Sequence, residues 1–548
     1  MSLADRLPPP AWVDLGATPN RGLDLTGLRL AVQSIGNDLL DGITTISPAV
    51  RYVSFYAWTV FSYLNAKGPD SWPAFRRFAE QIETAVALAN VLCKATVTGL
   101  VGVEGALRIA GETADPVPLE ILVDQPAVNI YLNPSQQLKF ILPPRLAVPG
   151  LSKERGVPLA RMMHATLGKT RLGARFSAGE LIPQALREDL REFGQVAHLT
   201  KISEEESDLL VNGIIPVAPA TDQEARRVGT YACFLGLADA LSRMPAENDL
   251  FKEAQHPKRS LPTEVHSHLN GWLRYSIRDA IAVGHEYVLQ EVIQALLILS
   301  KSRSGIPSSD VTAYLMQNSG EHKTALNAFG LLRPGEDPLD LDFTQLYERI
   351  VVSTSADRIT EGGLSRWSGP LTELRLIDVV RAHPPRALAL LPVIWSLAVV
   401  RTSLWPEPES NPIEGRRGLG WRAIGINEVV TPGIKKFIDE RWKLGRVMSD
   451  LALRTVEQHL RVSWSRMAVN VHHDVALLTS GADRWQSRPE EKHVRDYRGG
   501  RSLSRLPQVV GWLQQLGLVD QSGLTQRGKK VYQRSLDALK AEATHATA

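Results

Sequence analysis

Apolar residues recur at helical spacing along most of the chain, and polar turn signals separate the runs. Ser47-Pro48 predicts a helix start, since Ser can cap free N–H groups and Pro tolerates the first helical position. Val50, Val53, Ala57, Trp58, Phe61 and Leu64 then form one stripe to about Leu64. The same periodicity predicts helices over Pro73–Val91, Val97–Ile109, Glu180–Val211, Glu224–Arg243, Val265–Ser302 and Leu371–Leu404. Leu119–Val123, Val128–Leu132 and Leu138–Leu142 are instead short β-like runs, split by Asp124-Gln-Pro and Asn133-Pro-Ser. The expected fold class is mainly α, a multi-domain helical body with small β-hairpin or wing elements and a C-terminal winged helix.

A chain of 548 residues suggests roughly three or four units. The patterning divides it into an N-terminal arm (1–25), a helical domain with a small β or wing element (26–170), a helical body (171–404), a linker (405–421) and a basic helical segment (422–548). The linker holds three prolines and three glycines among several charges. The most apolar window, Ala387–Val400, is 14 residues long and contains Pro392. A membrane span needs about 20, so a buried core helix is expected and no membrane. No fixed repeat period is visible. One short echo stands out: Gly150-Leu-Ser-Lys-Glu-Arg-Gly156 against Gly523-Leu-Thr-Gln-Arg-Gly528. It permits a second winged-helix-like unit near residues 95–165.

The clearest local pattern lies near the end. Ser504 can cap a helix whose Leu506, Val509, Val510, Leu513 and Leu516 make one buried stripe, with Gly517 at the position after the C-cap. Leu518-Val-Asp520, Gln521-Ser-Gly523 and Leu524 read as a minimal hairpin, and Thr525 caps a final helix. This helix, short hairpin and Leu-Thr-x-x-Gly helix start resembles the winged-helix superfamily over about 491–540. On that reading Arg505, Gln508, Gln514 and Gln515 face outward from a recognition helix. Arg pairs bidentately with guanine and Gln with adenine. Arg495, Arg498 and Arg501 form a basic approach, and Lys529 and Lys530 would meet phosphates. Winged helices that dock protein are the alternative.

Charge supports the nucleic-acid reading. The formal net charge is only +3, but Thr431–Ala548 carries 20 basic against 12 acidic residues, leaving the rest at −5. Such asymmetry suits a tail that meets a polyanion. The 44% hydrophobic and 22% charged fractions are those of a globular protein. Cys93 and Cys233 sit in apolar surroundings and no basic-then-apolar leader opens the chain, so a cytoplasmic protein with free thiols is expected.

Six aromatics fall within residues 48–64, against 6% for the whole chain. Core packing is the first reading and a base-stacking surface helped by Arg51 the second. Gly36-Asn-Asp-Leu-Leu-Asp-Gly-Ile-Thr-Thr-Ile, followed by Val50-Arg-Tyr-Val-Ser-Phe-Tyr-Ala-Trp, resembles the opening block of bacterial families catalogued as domains of unknown function. Some of these occur beside defence or mobile-element genes. Asp41 stands where their pattern has Pro. The resemblance implies a setting in bacterial DNA metabolism or antiviral defence and supplies no catalytic residue.

Candidate chemistry is sparse. Glu264, His266 and His268, or His472, His473 and Asp474, lack the spacing of a metal site. Asp124 with Gln137 and Lys139 would be a nuclease centre short of one carboxylate. Gly168-Lys-Thr170 ends like a phosphate loop, but Met163 stands where its first Gly belongs. No cofactor and no catalytic residue is expected. The expected function is a nucleic-acid-binding or adaptor subunit of a bacterial DNA-related system, with DNA and a protein encoded nearby as partners. The alternatives are a protein-interaction scaffold and a metal-dependent nuclease.

Overall fold

The computed structural model describes residues 24–94, 99–112, 114–119, 126–144, 146–256, 260–300, 305–354, 371–403, 424–469, 478–481, 484–487, 497–502 and 504–547. The chain is mainly helical, with strands of two to four residues. It divides into two units interleaved in sequence. One comprises Met1–Gly36, Phe251–Arg259 and Asn270–Ser502; the other comprises Asn37–Leu250, Ser260–Leu269 and Leu503–Ala548. The expected boundary at 170 has no counterpart in this division, and the segment 422–548 is parted between the units at Ser502. The expected arm falls outside the described residues up to position 23, as does the expected linker.

In the second unit the aromatic helix, Arg51–Asn65, is the centre of the core. Tyr52, Phe55, Tyr56, Trp58 and Tyr63 are buried, which leaves no platform for stacked bases. Tyr52 stacks on Tyr131 at 4.6 Å, and Tyr63 meets Phe75 edge-on at 5.4 Å. The helix begins later than Ser47-Pro48 predicts. The Ser47 hydroxyl turns back, accepting from the Thr44 N–H at 2.9 Å and donating to the Thr44 carbonyl, which closes a turn instead of capping the helix. Arg51 is buried against Glu206, and Asp41, at the position where the resembled pattern has Pro, forms a buried ion pair with Arg227.

Two expectations fail here, the first for a tertiary reason and the second for a local one. Val128–Leu132 is not a strand but part of the helix Ala127–Gln137. The carboxylate of Glu83 accepts from the N–H groups of Ala127 (2.7 Å) and Val128 (2.6 Å), capping that helix from another one. Glu180–Val211 is two helices, Arg187–Val196 and Glu204–Ile214, the latter capped by the Ser203 hydroxyl.

The second unit also contains two helix–hairpin–helix modules. The terminal module has helix Leu506–Gln515, paired strands Val519–Asp520 and Gly523–Leu524, and helix Gln526–Thr547, in the order read from the sequence. The internal module has helix Ala127–Gln137, paired strands Ile141–Leu142 and Gly150–Leu151, and helix Gly156–Leu167.

In the first unit, the apolar helix Ala387–Ser403 packs against Leu444–Val469 and Phe343–Thr354. The predicted Leu371–Leu404 helix is broken at Pro384-Pro385, where Glu373–Ala382 ends and a short 3-10 turn precedes the next helix. Thr263–Leu299 and Pro384–Thr402 are long and apolar enough to cross a membrane, and 78% of each apolar window is buried inside the protein. The Trp395 indole donates to His285 Nε2 at 3.1 Å, while His285 Nδ1 lies 2.7 Å from the Thr455 hydroxyl. That hydroxyl donates to the Leu451 carbonyl, so it accepts from Nδ1–H, which fixes a neutral imidazole. Burial, with Arg454 nearby, lowers the His285 pKa to about 3. A small sheet joins Ile306–Pro307, Arg484–Ser487 and Leu478–Gly481.

Candidate binding face of the terminal module

The predicted stripe is the buried side of helix Leu506–Gln515. Leu506, Val509, Val510, Leu513 and Leu516 are all buried, together with Trp512. Ser504 makes a long contact with the Leu506 N–H at 3.4 Å. Gly517 has a φ of +70°, the left-handed conformation that ends a helix. Thr525 accepts from the Gly528 N–H at 2.9 Å and so caps the final helix.

The side assigned to DNA bases is occupied by the chain itself. Gln508 donates to the Thr45 carbonyl at 2.7 Å, and the Trp512 indole donates to the Ser47 carbonyl at 2.9 Å. Gln515 donates to the Pro48 carbonyl at 2.7 Å and accepts from the Val50 N–H at 3.0 Å. Arg505 donates to the Leu40 carbonyl at 3.2 Å and to the Asn37 side chain. A base edge would have to displace all of these bonds. The outward-facing roles expected of Arg505, Gln508 and Gln515 are therefore corrected: they hold the Asn37–Val50 segment. Trp512 was missed, because an aromatic on an apolar stripe gives no sign that its N–H has a main-chain partner.

The basic approach also turns inward. Within the first unit, residues 497–502 lie along the part of the helix His266–Leu299 that follows Leu269, on the face carrying Asp279, Glu286 and Gln290. Arg501 forms an ion pair with Asp279 at 2.7 Å, and the Asp279 carboxylate also accepts from the Ser502 N–H. The N–H groups of Gly499 and Gly500 donate to Gln290 (2.8 Å) and Glu286 (3.0 Å). Arg29 closes a further ion pair with Glu286. Burial raises the Glu286 carboxyl to about 7 in spite of Arg29 and the Gly500 N–H. Arg501 is thus an internal cation and not an open phosphate contact. Arg498 is exposed and donates to the Tyr497 carbonyl, whereas Arg495 lies outside the described residues. Lys529 and Lys530 match the expectation in position: both are exposed at the start of the final helix, and neither forms an ion pair among the described residues; Gln514 is exposed as well.

The other candidates have structural partners. Gln137 accepts from the Gly42 N–H at 2.9 Å, and Lys139 pairs with Glu224 at 3.2 Å. Asp124 lies outside the described residues, as do His472, His473 and Asp474. His266 contacts the Leu261 carbonyl at 2.9 Å. His268 is buried, and burial with Arg226 lowers its pKa to about 4. Among the described residues no three His, Cys, Asp or Glu side chains converge as metal ligands. Thr170 caps the helix Arg171–Ser177 through the Gly173 N–H. Cys93 and Cys233 are both free thiols.

No protein-family model matches the chain, and neither a curated protein nor a solved structure is significantly similar to it.

Proposed function

We propose that the chain is a binding or adaptor protein whose helix–hairpin–helix modules hold protein segments, acting in the cytoplasm with a protein partner. The observation that carries this reading is the engagement of Gln508, Trp512 and Gln515 with main-chain groups of Thr45–Val50. A module built to read base edges would leave such amides facing solvent. Fold alone does not decide between the two uses, but the direction of these side chains favours docking.

A second reading is contact with DNA in a bacterial DNA-related system such as phage or mobile-element defence. The exposed Lys529 and Lys530 favour it, as does the likeness of the Gly36–Trp58 block to families found near such genes. Anisotropy titration of a labelled duplex with the full-length protein at several salt concentrations separates the two. The docking reading predicts no salt-dependent binding. The DNA reading predicts binding that falls with salt, and a slope reduced by about two in the Lys529→Glu/Lys530→Glu variant, one unit for each phosphate no longer neutralised. That second result would displace docking as the leading account.

A further inference from the structure

We infer that residues 127–167 and 506–547 are two copies of one module, and that its ligand is a protein turn read through main-chain N–H and C=O groups. The inference rests on the docking reading and extends it by naming the ligand class. The two copies agree bond for bond. Each first helix ends in Gln-Gln-Leu, as Gln136-Gln137-Leu138 and Gln514-Gln515-Leu516. Each then places one residue in the left-handed region, Lys139 (φ +59°) and Gly517 (φ +70°). The same capping pair follows in each: Lys139 N–H to Gln136 carbonyl and Phe140 N–H to Ser135 carbonyl, against Gly517 to Gln514 and Leu518 to Leu513.

The hairpins match in register, Ile141 with Leu151 and Leu142 with Gly150, against Val519 with Leu524 and Asp520 with Gly523. A hydroxyl next bridges back to the left-handed residue: Ser152 to the Lys139 carbonyl at 2.5 Å, Thr525 to the Gly517 carbonyl at 2.8 Å. An arginine reaches the carbonyl closing the first helix: Arg155 to Leu138 at 2.9 Å, Arg527 to Leu516 at 3.3 Å. A glycine follows it in each copy. A Cβ on Gly156 would lie 2.0 Å from the Phe140 carbonyl oxygen, and one on Gly528 2.0 Å from that of Leu518. The hydroxyl and the glycine belong to the Leu-Thr-x-x-Gly helix start itself; the paired Gln-Gln-Leu helix ends and the arginine on the helix-closing carbonyl go beyond it.

Both copies use the second glutamine in the same way. Gln137 accepts from the Gly42 N–H and Gln515 from the Val50 N–H, so the two modules hold the two ends of one loop. The bonds that Gln137, Gln508, Trp512 and Gln515 make to the loop all end on its main-chain groups, which makes a turn with unpaired N–H and C=O the recognised feature.

The test is a chimera in the full-length chain, with Gln514–Gly528 replaced by the sequence of Gln136–Gly156. If the segments are copies, the chimera unfolds in one transition and the Val50 amide stays slow in hydrogen exchange. Fast exchange throughout 506–547 with the remaining chain native would overturn the duplication. The isosteric variants Gln137→Met and Gln515→Met test the ligand class without the risk of a failed graft. Each should lower Tm by roughly 2–4 °C and accelerate exchange at Gly42 or Val50 respectively. Unchanged exchange at both amides would overturn turn recognition. Neither result depends on whether nucleic acid binds, so failure here is separable from failure of the proposed function.

Discussion

The internal and terminal modules share their buried bonds and differ in what surrounds them. Arg155 reaches beyond its helix-end carbonyl to Glu224, whose side chain is 2% exposed, whereas Arg527 reaches Asp208, which is 62% exposed. The internal hairpin is joined by residues 143–149, the terminal one by Gln521 and Ser522. Where the terminal copy shows Lys529 and Lys530 after its glycine, the internal copy has Val157 and Pro158. Positions common to both copies are accounted for by the module's own geometry. Exposed positions where the copies diverge, chiefly the two lysines, are where an outside partner has to be sought.

The largest expected effect is on the shared glycines. Gly156→Ala and Gly528→Ala each place a methyl group 2.0 Å from a carbonyl oxygen that cannot swing aside. Each should cost about 3 kcal/mol in chemical unfolding. A mild effect at either position would break the equivalence. Next are the arginines, where the comparison predicts a difference. Arg155→Ala leaves the buried Glu224 with Lys139 and, at 3.8 Å, Arg227, and should cost about 2 kcal/mol. Arg527→Ala removes a solvent-exposed pair and should cost less than about 1 kcal/mol. Equal losses would mean that the surroundings do not matter.

A smaller effect concerns pH. Glu83 caps the internal first helix, and burial raises its carboxyl to about 8 despite the Ala127 and Val128 N–H groups. A raised folded value means stability that is fully present below the ordinary 4.5 and is lost as pH rises towards 8. Glu83→Gln should flatten thermal stability over that window, and an unchanged profile would assign the pH dependence elsewhere. Smallest of all, Lys529→Glu/Lys530→Glu should shift stability by no more than about 0.5 kcal/mol, as befits exposed side chains.

Much of the terminal module is legible in the sequence because its signals are local: an apolar stripe, a helix-ending Gly517, a two-residue turn and a capping Thr525. The Gly150–Gly156 echo falls on the second strand and the helix start of the internal module. The internal first helix reads as a strand because its cap, Glu83, lies 44 residues away along the chain. The candidate site misleads for the same reason. Arg501, Arg505 and Gln508 look like solvent-facing groups in sequence, and their partners Asp279, Asn37 and Thr45 are more than 200 residues distant. Periodicity shows which side of a helix is polar, not which main chain that side will meet.

At the centre of this account, the first helix of the terminal module holds its own chain's loop through Gln515. Amide hydrogen exchange at Val50 in the full-length protein, with and without Gln515→Ala, tests it most directly. The account predicts a slow Val50 amide that becomes markedly faster in the variant while Gly42, held by Gln137, stays unchanged. A Val50 amide already fast in the unaltered protein, or equally slow in both, would contradict it.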